Sequence, residues 1–228
     1  MRTFFFRSLV VATAVLTVGS TAIARDNTSA ILNRLELQQL VERAEPADNA
    51  RLAAHFTALA ERYAAEAKRH TSMSKNSVGN PSRNLATGLS VHCDRLAELN
   101  TQSQITAQEL AAYHDQMAGG SPSTLPRDAA RFQGGAGAPE PTKKDLNRLA
   151  ESASTATEHH GLEEYFLTLV KRYTGDASEH VTLAQTYRGT RIAQAAIHHD
   201  QLARLSREAA KEAVAAAELH KALAGMVR

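Results

Sequence analysis

Histidine carries most of the chemical potential of this chain, and its positions follow a pattern. His70 closes the segment FTALAERYAAEAKRH, which begins at Phe56, and His180 closes a related one, FLTLVKRYTGDASEH, which begins at Phe166. At an offset of 110 residues, Phe56, Leu59, Arg62, Tyr63, Ala67 and His70 fall on Phe166, Leu169, Arg172, Tyr173, Ala177 and His180. A second pair of segments, HCDRLAEL from His92 and HHDQLARL from His198, contributes His92, Cys93, His198 and His199. Neutral imidazole suits Cu, Zn and Ni ions, and four ring nitrogens from four helices can enclose one ion. The expected metal ligands are therefore His70, His92, His180 and His198, with Cys93 and His199 beside them. Glu66 and Asp176 stand four residues before His70 and His180, where a carboxylate accepts a ring N–H and fixes the tautomer. Asp94 and Asp200 follow the other two histidines as further orienting groups. A second reading of these histidines needs no metal: a polar layer can fix bundle register by hydrogen bonds, or respond to pH near 6 as the imidazoles charge.

Helices must position these groups. Leu52, Phe56, Leu59, Tyr63, Ala67, His70 and Met73 recur in steps of three and four, the stripe of a bundle helix. A preceding helix carries Ile31, Leu32, Leu35, Leu40 and Val41, with caps expected among Asn27, Thr28 and Ser29; Pro46 breaks it or opens the next helix. Residues 76 to 82 read as a turn. The following helix spans roughly 84 to 118 and stops at Gly119-Gly120-Ser121-Pro122. The stretch from 119 to 145 is rich in Gly and Pro and reads as a linker, with a short helical turn near Asp128 to Phe132.

The second half repeats this order. Leu32-Asn33-Arg34-Leu35 recurs as Leu146-Asn147-Arg148-Leu149, and Ala111, His114 and Ala118 recur as Ala217, His220 and Ala224. The drift in offset implies two four-residue deletions, one at the Pro46 region and one at the second turn, Tyr187-Arg188-Gly189-Thr190. The expected fold is all-α: an antiparallel four-helix bundle made of two duplicated helical hairpins, residues 25–118 and 146–228, joined by the 119–145 linker. Up-down-up-down threading places both turns at one end. His70, His92, His180 and His198 then each lie about ten residues, ~15 Å, from their turns and meet in one layer. His114, His159, His160 and His220 gather at the far end as a more exposed group. A hairpin exchanged between two chains is the alternative assembly, so the chain is expected as a monomer or an exchanged dimer.

Other chemistry is excluded or weakened by what is missing. Di-iron bundles use Glu-x-x-His, and no histidine has Glu three residues before it. Covalent c-type haem needs Cys-x-x-Cys-His, whereas Cys93 is the only cysteine and is expected to be buried. Bis-histidine haem b stays open, disfavoured by the space that a flat macrocycle needs along this stripe. His70-x-x-Met73 and His114-x-x-Met117 resemble copper pairs, but Leu183 and Leu223 take the methionine places in the second half, which favours core filling. No nucleotide-cradling loop or nucleophile-base pattern occurs, so no catalysis is expected.

Residues 1–24 read as a signal peptide: Arg2 and Arg7, an apolar run, then Ala22-Ile23-Ala24 with cleavage after Ala24. Of 26 Lys and Arg, those two leave with the leader, so the remaining chain balances 24 Asp and Glu and offers no basic footprint for nucleic acid. The functional expectation is a periplasmic protein without a membrane anchor that buffers, stores or senses a transition metal. The alternative is a metal-free envelope stress or interaction protein with structural or pH-responsive histidines.

Overall fold

The computed structural model describes residues 31–77, 83–119 and 142–227. Among these the chain is all-helical, with six helices and no strand: α1 (Arg34–Arg43), α2 (Pro46–Ser77), α3 (Arg83–Met117), α4 (Lys143–Ser152), α5 (Ala156–Arg188) and α6 (Ala195–Met226). The expected signal peptide and most of the expected linker, with its helical turn near residues 128 to 132, lie outside the described residues, as does the expected first turn except for residues 76 and 77, which close α2.

Caps written in the sequence set the boundaries. Asn33 caps α1 in a reciprocal box with Glu36, Thr142 caps α4 with Asp145, and Thr155 caps α5 with Glu158. Helix α1 thus begins after Ile31 and Leu32, later than expected. Ala44 then takes a left-handed conformation (φ 51°) and Pro46 occupies the first turn of α2, where it lacks no needed N–H. Gly119, at φ 97°, follows the last turn of α3 and makes the expected stop.

The second half is also broken into a short and a long helix. The expected deletion of the Pro46 region does not remove the break, because the Thr155-x-x-Glu158 box starts a new helix. Pro46 and Ala156 open the long helices at the offset of 110 that relates Phe56 to Phe166, so no residues are deleted between them. The shared Leu-Asn-Arg-Leu is not structurally equivalent: Asn33 is a cap, whereas Asn147 lies within α4.

Helices α2 and α3 pack along their length, as do α5 and α6, and α3 lies against α6. Gly88 allows part of that approach, since a Cβ there would stand 2.9 Å from Leu219 Cδ2. Helices α2 and α5 meet through long side chains: Arg62 pairs with Asp176 at 2.7 Å and Arg172 with Glu66 at 3.2 Å. The crossed partners show that α2 and α5 run antiparallel. Helix α1 covers α5 and α2, and α4 covers α2 and α5.

The two hairpin turns lie at opposite ends, not at one. Tyr187, at the end of α5, donates to His114, near the end of α3, at 2.8 Å, while Leu219, late in α6, reaches Gly88, early in α3. The end of α3 and the start of α5 therefore lie at opposite ends of the helices. This arrangement divides the apolar interior in two. One cluster, around Leu37, Phe56, Leu110, Tyr187 and Leu202, lies at the 189–194 turn. The other, around Met73, Cys93, Leu146, Phe166 and Leu205, extends toward the first turn.

The crossed ion pairs yield a direct prediction. Arg62→Met leaves Asp176 partly buried without its cation and should destabilise the fold by about 3 kcal/mol in urea unfolding. Arg62→Met with Asp176→Leu should recover most of that loss. If the two single changes simply add, Arg62 and Asp176 are not partners and the antiparallel register of α2 and α5 is wrong.

Candidate functional site

A polar belt separates the two apolar clusters. Glu66, nearly fully buried, lies 3.2 Å from both Arg69 and Arg172. Burial works against its charge, but the two guanidiniums together with His70 hold the carboxyl below its usual range. Asp176 receives Arg62, and Asn100 donates to the buried Tyr173 hydroxyl at 2.8 Å. The Tyr63 hydroxyl points the other way, to His180 Nε2 at 3.4 Å.

Beyond the belt, at the 189–194 turn, four buried histidines share one neighbourhood: His55, His114, His180 and His199. Phe56 is the packing surface for three of them, stacked on His114 with ring centres 5.5 Å apart and edge-on to His199 and His55. His55 Nδ1 accepts the Leu32 N–H at 3.0 Å, tying the chain before α1 to α2. The Asn49 amide donates to the carbonyls of Ala44 and Glu45, so its oxygen accepts from His114 Nδ1 at 2.8 Å. The Tyr187 hydroxyl then donates to His114 Nε2 at 2.8 Å, and His114 is a neutral ring with both nitrogens used.

His180 and His199 face each other across the second hairpin, Nδ1 to Nδ1, at 3.2 Å. With the Tyr63 hydroxyl donating to His180 Nε2, His180 Nδ1–H donates to His199 Nδ1. The remaining proton sits on His199 Nε2, which has no hydrogen-bond partner among the described residues. Burial, reinforced by the charge of Arg62, pushes the His180 pKa down to about 3. Burial does the same to His55 and His114, each to about 3, with His180, Arg62 and His114 adding to the effect on His55 and His198 to that on His114. His199 is lowered well below its usual value by burial and by His180, His114, His55 and His198.

The opposite end holds a related but unequal set. His159 and His220 face each other at 3.2 Å, and His220 stacks on Phe166 as His114 stacks on Phe56. His70 is fully buried against Phe166 and Tyr165.

The structure redistributes the residues expected to form one layer. His180 is brought to His199, not to His198. The hairpins are one residue out of the expected register, and one residue turns a helical side chain by about 100°. Cys93 and His199 consequently face inward, fully buried, while His92 and His198 lie in the α3/α6 seam on Glu212 and Glu109. His70 stacks on Phe166, ~20 Å before His180 along α5, because the hairpins are reversed relative to each other. Of the expected orienting carboxylates, Glu66 Oε2 is 3.7 Å from His70 Nε2, whereas Asp176 serves Arg62 and Asp200 serves Arg188. Asp94 is exposed. The group expected to be exposed at the far end is largely interior: His114, His159 and His220 are buried, and only His160 is open.

Among the described residues no group of three or more His, Cys, Asp or Glu is arranged to hold a metal ion. Nor is any helix among them long and apolar enough to cross a membrane. Sequence reasoning overlooked His55, although its place three residues after Leu52 marks it as interior. Tyr187 and Asn49 gave no comparable signal. Comparison with protein-family models, with curated proteins and with solved structures finds no match.

The His114 network gives a second prediction. Tyr187→Phe leaves a buried imidazole nitrogen without its donor and should cost about 1–3 kcal/mol in chemical unfolding. Loss of helix content without loss of cooperativity would mean that the bond holds only the end of α5.

Proposed function

We propose that this chain is an exported helical protein of the bacterial envelope whose assembly depends on pH through histidines that need no metal. In this reading two duplicated hairpins close as an antiparallel four-helix bundle, and their facing imidazoles hold it shut only while neutral. The observation that carries the proposal is the Nδ1-to-Nδ1 contact of His180 and His199, buried at 3.2 Å. That contact works with one proton between the two nitrogens. A second proton sets two N–H groups against each other, beside Arg62 on α2 and in a region with little water. The partner is then another envelope component that meets the protein in its closed or its opened form, and no catalytic role is assigned. The leader-like residues 1–24 support export.

The sign of the pH effect follows from the buried rings. Their folded pKa values lie near 3, below the ordinary 6.5, so the unfolded chain binds more protons between those limits. Stability is therefore complete above pH 6.5 and falls as pH drops toward 3. Each such ring removes about 1.4 kcal/mol per pH unit, and the three together remove ~4 kcal/mol by pH 5.5, a large share of the whole stability of many domains. Carboxylates held by arginine titrate lower and affect a later window.

Urea unfolding between pH 8 and 5 tests this. The account predicts a constant midpoint above pH 7 and a steep fall below 6.5, with the slope reduced by about one proton in His199→Leu. A midpoint unchanged between pH 7.5 and 5 would remove the proposal. Export is tested separately by the intact mass of the secreted protein, which should lack residues 1–24.

A further inference from the structure

His70, in the first hairpin, is bonded differently from its sequence counterpart His180, both of whose ring nitrogens have partners. His70 is fully buried, yet neither ring nitrogen has a hydrogen-bond partner among the described residues. Glu66 Oε2, at 3.7 Å from Nε2, is beyond hydrogen-bonding distance and lies close to Arg172 and Arg69. Counting equally along α2 and α3 from the Asn49–His114 contact brings His70 opposite Cys93. The corresponding count in the second hairpin, from His159–His220, brings His180 opposite His199, and those rings do meet. Cys93 thus occupies the place of His199, fully buried, in one core cluster with Met73 and with Phe166, on which His70 stacks.

We propose that His70 and Cys93, with Met73 one turn further along α2 as a third donor, form a site for a soft monovalent cation, Cu(I). Thiolate, thioether and imidazole are the donors that select Cu(I), which accepts two or three ligands. The charge balance favours the same ion. A thiolate, a neutral imidazole and a monovalent cation sum to zero, whereas a divalent ion would leave a net positive charge in an apolar interior. Binding forms the Cu–S bond as the Cys93 S–H proton leaves to solvent, with no change of oxidation state. Burial keeps the metal-free thiol protonated, so the cysteine stays inert until the ion arrives. The second hairpin has no equivalent site, since Leu183 stands at the methionine place, His199 at the cysteine place, and His180 bonds to His199.

The test is anaerobic titration of the purified chain with Cu(I) against a chromogenic copper chelator. One equivalent should be withdrawn from the chelator, with an ultraviolet thiolate-to-copper band. Cys93→Ser and His70→Gln should each abolish that equivalent, while His199→Gln keeps it; circular dichroism confirms that the helices persist. X-ray absorption on the unmutated protein gives an independent reading, a shell of sulfur and nitrogen neighbours. Failure to withdraw Cu(I), a folded Cys93→Ser that binds undiminished, or a shell without sulfur overturns the site. None of these outcomes bears on the acid dependence, which rests on the second hairpin.

Discussion

The architecture depends on a desolvated polar belt between two greasy clusters. Two arginines and two carboxylates cross between α2 and α5, with tyrosines beside them, and the nearly fully buried Glu66 is paired. Such charges do not stabilise a core for free, since removing them from water opposes folding unless every partner is in place. Their value is in specificity. Arg62 finds Asp176 and Arg172 finds Glu66 only when α5 runs antiparallel to α2 at one register, so the belt selects that pairing over sliding alternatives. Every histidine contact beyond the belt inherits its position from this choice.

The histidine clusters are a consequence of that geometry. Because the hairpins are reversed, equivalent residues are carried to opposite ends, and a sequence pattern suggestive of one four-ligand layer becomes two separate groups. At the 189–194 end the rings are tied to Tyr63, Tyr187, Asn49, the Leu32 N–H and each other. At the other end a cysteine replaces one imidazole and His70 is left unbonded. The asymmetry lies between halves that otherwise use similar contacts, such as the stacking of Phe56 on His114 and of Phe166 on His220.

Much of the helical framework was legible from residue spacing. The stripe from Leu52 to Met73 identified α2, the Gly119 stop was correct, and Cys93 is buried, as expected of the chain's one cysteine. The break before α5 is also written, in the capping box of Thr155 and Glu158, at a place where the repeat pattern alone implies continuous helix. What spacing could not supply was the direction of one hairpin relative to the other. A linker of the length of 119–145 permits either end, and only side-chain complementarity across α2 and α5 decides between them. The inward choice of His199 over His198 was beyond reach for a related reason: a one-residue register shift turns a helix face by about 100° while leaving its periodicity unchanged.

The central claim is that these imidazoles are neutral because they are enclosed, and that the fold lasts only as long as they stay so. Ring-nitrogen NMR of histidine-labelled protein, followed from pH 7.5 to 5, tests this most directly. The account predicts that His114, His180 and His199 keep neutral-tautomer shifts throughout the folded population and charge only as the native signals disappear. Reversible titration of these three rings near pH 6.5 within a structure that stays folded would contradict it.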